Sequence, residues 1–339
     1  MRKAALLYNP DSGGSSAKQL KKLESALAVL RSAGVEADLV ASDSRDRAVE
    51  LTRKAIAAGC DTVFACGGDG TIHNIAQALA NSSAALGVLP MGTANALAHD
   101  LGLPRDLTAA AKVLLHATPR QIALGHVKCA DLQGSVKSCY FVITAGVGVD
   151  AHLFYKLLTG TKQRMGMAAY YAKAWQMWFT YPMTRFEASH CELHSQDSKS
   201  AALTELLAVR IRNFGGVVRE LAPGASLERD DMRLILCHTE RRLLYLAYVT
   251  RRMLGCGWRV PGIELVHSKK VSCRYQAASP GDRRIYVEAD GELLGTLPAE
   301  ITVVPNALTL LMPRGVPSRI MMCFVRTFTA ACKKAHLSG

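Results

Sequence analysis

The run Thr62–Thr71 constrains this chain more than any other. A short strand-like segment, Thr62-Val-Phe-Ala-Cys66, breaks into Gly67, Gly68, Asp69, Gly70 and Thr71, and a helical pattern follows through Leu79. Glycines at such a corner let the backbone take φ > 0 and come close to a bulky ligand. Asp69 is the one ionised group among them, and Thr71 stands where a helix N-cap or a phosphate donor would stand. Free N–H groups at a helix start, backed by the helix dipole, make a phosphate site. The corner has a twin: Leu86–Pro90 reads as a second short strand, and Met91–Ala98 enters a second helix through Gly92 and Thr93. Two adjacent turns of one design point to one ligand.

The flanking sequence repeats the same rhythm. Ala4–Tyr8 reads as a strand, Asn9–Gly14 as a turn, and Leu20, Leu23, Leu27 and Leu30 as one face of a helix ended by Gly34. A second strand over Val35–Ala41 and a helix over Arg47–Ala58 follow. Strand and helix in strict alternation predict a parallel sheet with right-handed crossovers, with ligands outside the carboxyl ends of the strands. After a helix near Thr108–Ala117, Pro119 ends this rhythm. The text turns to strands at Gln121–Cys129, Ser138–Val149, Arg185–Leu193, Glu205–Arg212 and Arg233–His238, which predict a β-sandwich as a second domain with the boundary near residue 120.

With 339 residues, 49% apolar and 20% charged, the chain is long enough for two ordered domains. Its formal charge of +13 favours an anionic partner: nucleic acid, an anionic membrane surface or a nucleotide. No nucleic-acid-binding motif is present. The ten cysteines show no zinc-site spacing and read as reduced core residues of a cytoplasmic protein. No apolar run is long enough to span a bilayer, so contact with membrane is expected to be peripheral.

The ordered set GGDGT, P-x-GTAN-x-LA and Leu101-Gly-Leu-Pro104 resembles the diacylglycerol kinase catalytic family, which also holds sphingosine and ceramide kinases. The resemblance runs from Asn9 to Pro313. It implies an NAD kinase/diacylglycerol kinase-like α/β domain over residues 1–120, a β-rich lipid-substrate domain over 121–304, and a last segment from about 305 to 339 returning to the first domain. It implies ATP as phosphoryl donor, with nucleotide contacts at Asn9, Pro10, Asp11, Ser12 and Gly13, at Ser42, at Gly67, Gly68, Asp69, Gly70 and Thr71, and at Gly92, Thr93 and Asn95. The chain has no Walker lysine. Phosphate charge must therefore be met by backbone N–H groups, hydroxyls and bound Mg²⁺. Asp69 either holds the loop or faces the metal.

Ile285–Glu292 reads as a strand ending in Asp290-Gly291-Glu292. Asp-Gly is a common hairpin turn, and by itself carries little. Within the resemblance, D-G-E followed by the strands Ala299–Pro305 and Leu308–Pro313 is the family's C-terminal signature, and implies that Asp290 or Glu292 accepts the proton of the attacking hydroxyl. Ala145–Ala151 resembles the family's G-x-G-x-D-A element, placing Asp150 in a metal and water network. Leu221–Leu234 is similar to a loop that binds a structural magnesium, with the Asp231 carboxylate and the Glu228 and Arg233 carbonyls as ligands. Three positions depart from the pattern: Asn74 where relatives carry Glu, Ala96 where many carry Asp, and Met232 where Gly is usual.

Three stretches bear on membrane contact. Arg164–Phe179 carries Tyr171, Trp175 and Trp178 on one helical face, a pattern more common in cores. Arg241–Arg252 sets paired arginines at both ends of an apolar stretch, as a membrane-facing helix or a core helix with solvated ends. Arg319–Lys334 has the spacing of an interfacial helix. The expected function is an ATP- and Mg²⁺-dependent lipid kinase acting at an anionic membrane surface on diacylglycerol or a related lipid alcohol. A NAD kinase-like enzyme and a catalytically impaired regulator are the alternatives. The sequence does not give the oligomeric state.

Overall fold

The computed structural model describes residues 1–10, 16–149, 183–193, 197–215, 220–255, 259–275 and 284–314. The first part alternates as expected: β1 (Lys3–Tyr8), α1 (Ser16–Ser32), β2 (Glu36–Ala41), α2 (Arg45–Ala57), β3 (Thr62–Gly67), α3 (Asp69–Leu79), β4 (Ala85–Pro90), the short α4 (Ala96–Asp100) and α5 (Leu107–Leu115). Strands follow: β5 (Thr118–Ala130), β6 (Val136–Phe141), β7 (Thr144–Gly148), β8 (Phe186–Glu192), β9 (Ser198–Leu203), β10 (Glu205–Val209) and β11 (Met232–Cys237). Helix α6 (Arg242–Leu254) then precedes β12 (Ile263–Arg274), β13 (Tyr286–Ala289) and β14 (Glu292–Met312).

The parallel strands lie in the order β2-β1-β3-β4. Every residue of β3 and β4 is buried, as strands covered on both faces must be, whereas the edge strand β2 alternates with solvent. Because β2 lies on one side of β1 and β3 on the other, the chain reverses its winding between β1 and β3. In open α/β sheets ligands bind at such a switch point. The register pairs Tyr8 with Cys66 and Gly67 with Pro90, so β1, β3 and β4 end along one edge of the sheet.

The remaining strands are antiparallel, and a circuit β14-β13-β7-β10-β11-β12 closes where β12 pairs back on β14 between Lys270↔Thr302 and Cys273↔Ala299. Closure removes exposed strand edges. Val127, Phe141, Val147, Leu206, Leu234, Val271 and Ile301 fill one core there, distinct from the core beneath the parallel strands. Two long strands join the cores. β5 gives Ile122 and Leu124 to the first and Val127 and Cys129 to the second, and β14 gives Ile301 to the second and Leu308 and Leu310 to the first. β14 ends beside β4 in parallel at Thr309 and Leu310.

Local signals explain where expected boundaries shift. Helix α2 begins two residues earlier than its apolar pattern, because the Ser44 hydroxyl caps it by accepting from the Arg47 N–H. Helix α3 starts at Asp69 with Gly68 as N-cap, so Thr71 lies inside the first turn rather than at the cap. Cys66, Cys129, Cys139, Cys237 and Cys273 are buried thiols outside any disulfide. No helix among the described residues is long and apolar enough to cross a membrane. The Arg164–Phe179 and Arg319–Lys334 stretches lie outside the described residues. Helix α6 is seated on the core by Tyr245 and Tyr248 and leaves Leu243 and Leu254 exposed.

Candidate active site

The two glycine turns meet back to back. A Cβ on Gly68 would lie 3.2 Å from the Gly92 Cα, and a side chain at Gly67 would collide with that of Thr71. Close approach, rather than a left-handed backbone, is what these positions require: Gly67, Gly68, Gly70 and Gly92 are not among the positive-φ residues. Helix α3 leaves its first N–H groups directed out of the corner, with the positive end of its dipole behind them.

Asp69 joins the turns. Its carboxylate accepts from the Ala96 and Leu97 N–H groups at 3.1 and 3.4 Å, capping α4 across the junction. Burial, and secondarily Asp290, push its pKa up against those two amides. Each oxygen takes one amide, so the carboxylate keeps capacity for a water or a metal. Asn95 sits in the left-handed region at φ 51 and clamps the second turn: its Oδ1 accepts from the Gly92 N–H at 2.8 Å, and its Nδ2 donates to the Gly92 carbonyl at 2.7 Å. Thr93 is exposed beside it. Ser42, expected at the nucleotide, is buried, and its hydroxyl donates to the Ser44 carbonyl at 3.0 Å, fixing the entry to α2 instead. Asn9 and Pro10 stand at the end of β1; Asp11, Ser12, Gly13 and Asp150 lie outside the described residues.

The D-G-E hairpin brings its two carboxylates to different environments. Asp290 and Gly291 have φ of 49 and 81, both positive as in a two-residue type I′ turn. The Asp290 side chain is 1% exposed. Its oxygens accept from the Val142, Ile143 and Thr144 N–H groups at 2.9, 2.8 and 3.0 Å, and Oδ2 lies 3.2 Å from His73 Nδ1. Four partners on two oxygens fill the capacity of a carboxylate. Glu292 is 24% exposed. Its Oε2 is in contact with the Arg45 guanidinium, and its Oε1 faces the first turn, 3.4 Å from where a Cβ on Gly70 would stand. Of the two, only Glu292 faces the paired turns with an oxygen to spare.

Known protein families match both halves of the chain. The diacylglycerol kinase catalytic domain matches residues 3–127, and the YegS C-terminal NAD kinase beta sandwich-like domain matches residues 143–312. A diacylglycerol kinase of Mycobacterium tuberculosis is 30% identical over 318 residues, covering 92% of this chain and 96% of that one. The chain belongs to the diacylglycerol kinase catalytic family. A Bacillus subtilis diacylglycerol kinase is 26% identical over 317 residues, covering 93% of this chain and 97% of its own length. Among solved structures, a diacylglycerol kinase from Bacillus anthracis shares the fold with a TM-score of 0.66 at 15% identity, covering 92% of this chain and 97% of that one. Yeast NADH kinase shares it more distantly, with a TM-score of 0.52 at 11% identity, over 95% of this chain and 88% of that one.

Two hollows flank the centre of this family member. A pocket of about 210 Å³ between α1 and the second turn is lined by Lys22, Gly92, Thr93, Asn95 and Arg105. A groove of about 340 Å³ between α2, α3 and the β5–β6 hairpin is lined by Arg45, Arg53, His73, Asn74, His126 and Lys137. Asn74 Oδ1 is buried there without a hydrogen-bond partner. The groove reaches Glu292 through Arg45. Gln77 holds its floor, exchanging bonds of 2.8 Å with both the N–H and the carbonyl of Tyr140.

The magnesium loop implied by the family resemblance is built differently. The Asp231 carboxylate takes a two-pronged bond from Arg229 and a 3.0 Å contact from His267 Nδ1, so it is not open to a metal. Glu228 pairs at the surface with Arg120. Arg233 lies inside β11, between Val209 and His267. The fully buried Arg210 guanidinium donates to the carbonyls of Arg229, Asp231 and Ala123. Burial pulls its pKa down to about 10, and it remains a cation near neutral pH. These residues do not fit a bound Mg²⁺. The one carboxylate of the set is taken by Arg229 and His267, and the buried guanidinium of Arg210 holds neighbouring carbonyls of the same loop, those of Arg229 and Asp231.

His73, Arg45 and Arg210 escape a reading of the sequence. Each gains its role from a partner on another element, and nothing local marks it.

Proposed function

We propose that the chain is an ATP-dependent lipid kinase that transfers the γ-phosphate to the hydroxyl of diacylglycerol or a related lipid alcohol. The observation that carries this reading is the position of Glu292, with Oε1 beside Gly70 where the two glycine turns meet. The lipid oxygen attacks the γ-phosphorus and forms the new P–O bond. The bond to the β-phosphate oxygen breaks, ADP leaves, and the hydroxyl proton passes to Glu292. Such transfer asks chiefly for alignment, charge neutralisation and a proton acceptor. Asp290, saturated by three amides and His73, positions the hairpin that carries Glu292.

In the same reading the nucleotide lies along the edge where β1, β3 and β4 end, with Lys22 and Arg105 near its phosphates. Mg²⁺ bound with the nucleotide would neutralise phosphate charge, with Asp69 as the protein carboxylate suited to hold it. The groove beside Glu292 receives the acceptor headgroup, where Asn74 Oδ1 offers an unused acceptor to its hydroxyl. Residues 1–120, with the end of β14, form the nucleotide half, and residues 121–304 the lipid half.

The test is transfer of labelled γ-phosphate from ATP into a panel of lipid alcohols in mixed micelles, beside NAD as a soluble acceptor. Label in one lipid class is the expected result. Label in NAD alone would replace the lipid kinase by a dinucleotide kinase. No label, with ATP binding intact, would leave a nucleotide-binding regulator.

A further inference from the structure

Two consecutive residues of α3, His73 and Asn74, line the groove beside Glu292, and each brings an acceptor that the protein leaves unused. His73 is buried, with Nδ1 3.2 Å from Asp290 Oδ2. The Asp290 carboxylate already accepts from three backbone N–H groups, and towards the ring it can again only accept. Nδ1 therefore carries the ring proton, and Nε2 keeps a lone pair. Among the described residues Nε2 has no hydrogen-bond partner. Asn74 Oδ1 is buried and equally unmet. Gln77, one turn further along α3, cannot serve either of them. Its Nε2 donates to the carbonyls of His73 and Tyr140 at 3.0 and 2.8 Å, and its Oε1 accepts from the Tyr140 N–H.

A hydroxyl has one proton to give. In a lipid with a single hydroxyl that proton meets Asn74 on approach and Glu292 in the transfer, and His73 Nε2 is closed under the headgroup without a donor. A buried acceptor left unmet is costly, and a second hydroxyl beside the first removes the cost. The second donor is better a hydroxyl than an ammonium. Among the described residues that line the groove, Asp46 is the one carboxylate, against Arg45, Arg53 and Lys137. Sites built to hydrogen-bond a substrate hydroxyl reject an analogue without it far more strongly than apolar pockets reject a missing methylene.

We infer that His73 is a substrate-binding residue: its Nε2, oriented by Asp290, accepts from a second free hydroxyl of the lipid, and the preferred acceptor is a lipid diol. The inference rests on the lipid kinase reading and narrows it. A lipid whose neighbouring oxygen is esterified, as in diacylglycerol, is the poorer substrate.

Phosphate transfer from ATP into monooctanoylglycerol, which has two free hydroxyls, tests this beside two lipids that keep one. These are dioctanoylglycerol and the hydroxypropyl ester of octanoic acid, which lacks only the middle hydroxyl. The wild type is expected to favour the diol by roughly tenfold or more in kcat/KM. His73→Asn keeps a donor for Asp290 at the Nδ1 position and has no group at the Nε2 position. Its preference should fall to near unity, through KM for the diol and not through kcat. His73→Gln, whose longer side chain reaches the Nε2 position, should restore part of it. Equal kcat/KM for the three lipids in the wild type would overturn the inference and leave the kinase reading in place. So would a His73→Asn variant that slows all three alike through kcat, the mark of a mere prop for Asp290. Transfer to none of the three would remove the kinase reading, and calorimetric titration then decides the inference. Binding of monooctanoylglycerol roughly tenfold tighter than that of the hydroxypropyl ester, lost in His73→Asn, would uphold the site, and equal binding would overturn it.

Discussion

Arg45, the first residue of α2, and Glu292, the first residue of β14, are joined as an ion pair across 247 positions of sequence. The pair ties the helix after β2 to the D-G-E hairpin, directly over Gly70. In a chain without a Walker lysine, it also places a guanidinium beside the corner where phosphate would lie.

Because Arg45 is 42% exposed, its ion pair contributes little to the fold. Arg45→Ala is expected to change unfolding stability by less than about 1 kcal/mol. Phosphate transfer should fall by roughly tenfold or more, with partial recovery in Arg45→Lys, since a charge near the transferring group acts mainly on the rate. Denaturant melts beside steady-state rates check both, and unchanged rates would exclude Arg45 from the centre.

Asp290 should behave in the opposite way. Asn in its place would set an NH₂ group against backbone N–H donors, and a buried polar mismatch of that kind costs about 1–3 kcal/mol. Asp290→Asn is therefore expected to lower the melting temperature measurably, as well as the activity. A full loss of activity at unchanged melting temperature would point to direct chemistry at Asp290.

The contact of the two turns leaves no room at Gly92, whose added Cβ would press on the Gly68 backbone. Gly92→Ala must part the turns, at a cost of about 1–3 kcal/mol. ATP affinity should fall by roughly tenfold or more, while Gly134→Ala, in an open hairpin turn with nothing within 4 Å, leaves it unchanged. Calorimetric titration with ATP separates these outcomes.

Removal of divalent ions should not weaken the 221–231 loop. Arg210 already gathers its carbonyls, so EDTA is expected to leave the melting temperature of the nucleotide-free chain within about 1 °C. Arg210→Met should cost about 3 kcal/mol or more, because the three carbonyls lose a charged donor in the interior. A melting temperature that rises with Mg²⁺ in the absence of nucleotide would contradict this account of the loop.

The parts of the fold legible in the sequence are local ones. The β3–turn–α3 corner is written in consecutive residues, and the all-buried pattern of β3 and β4 follows from their apolar runs. The parallel order and the strand-rich second half follow from the alternation and its end near Pro119. The division of labour within D-G-E was not legible, because it depends on contacts 146 to 148 residues away at Val142, Ile143 and Thr144, and 217 residues away at His73. The partners of Asp231 were not legible for the same reason. The resemblance to a metal loop is local, whereas His267, which engages the Asp231 carboxylate, lies 36 residues later, and Arg210, which holds the Asp231 carbonyl, 21 residues earlier.

The measurement that tests the central claim most directly is label transfer from ATP to lipid by wild type and Glu292→Gln at saturating ATP, with nucleotide binding measured on the same samples. The account predicts label in a lipid for the wild type, and a rate lower by about a hundredfold or more in Glu292→Gln at unchanged ATP affinity. Undiminished transfer by Glu292→Gln would contradict the assignment of Glu292 as proton acceptor.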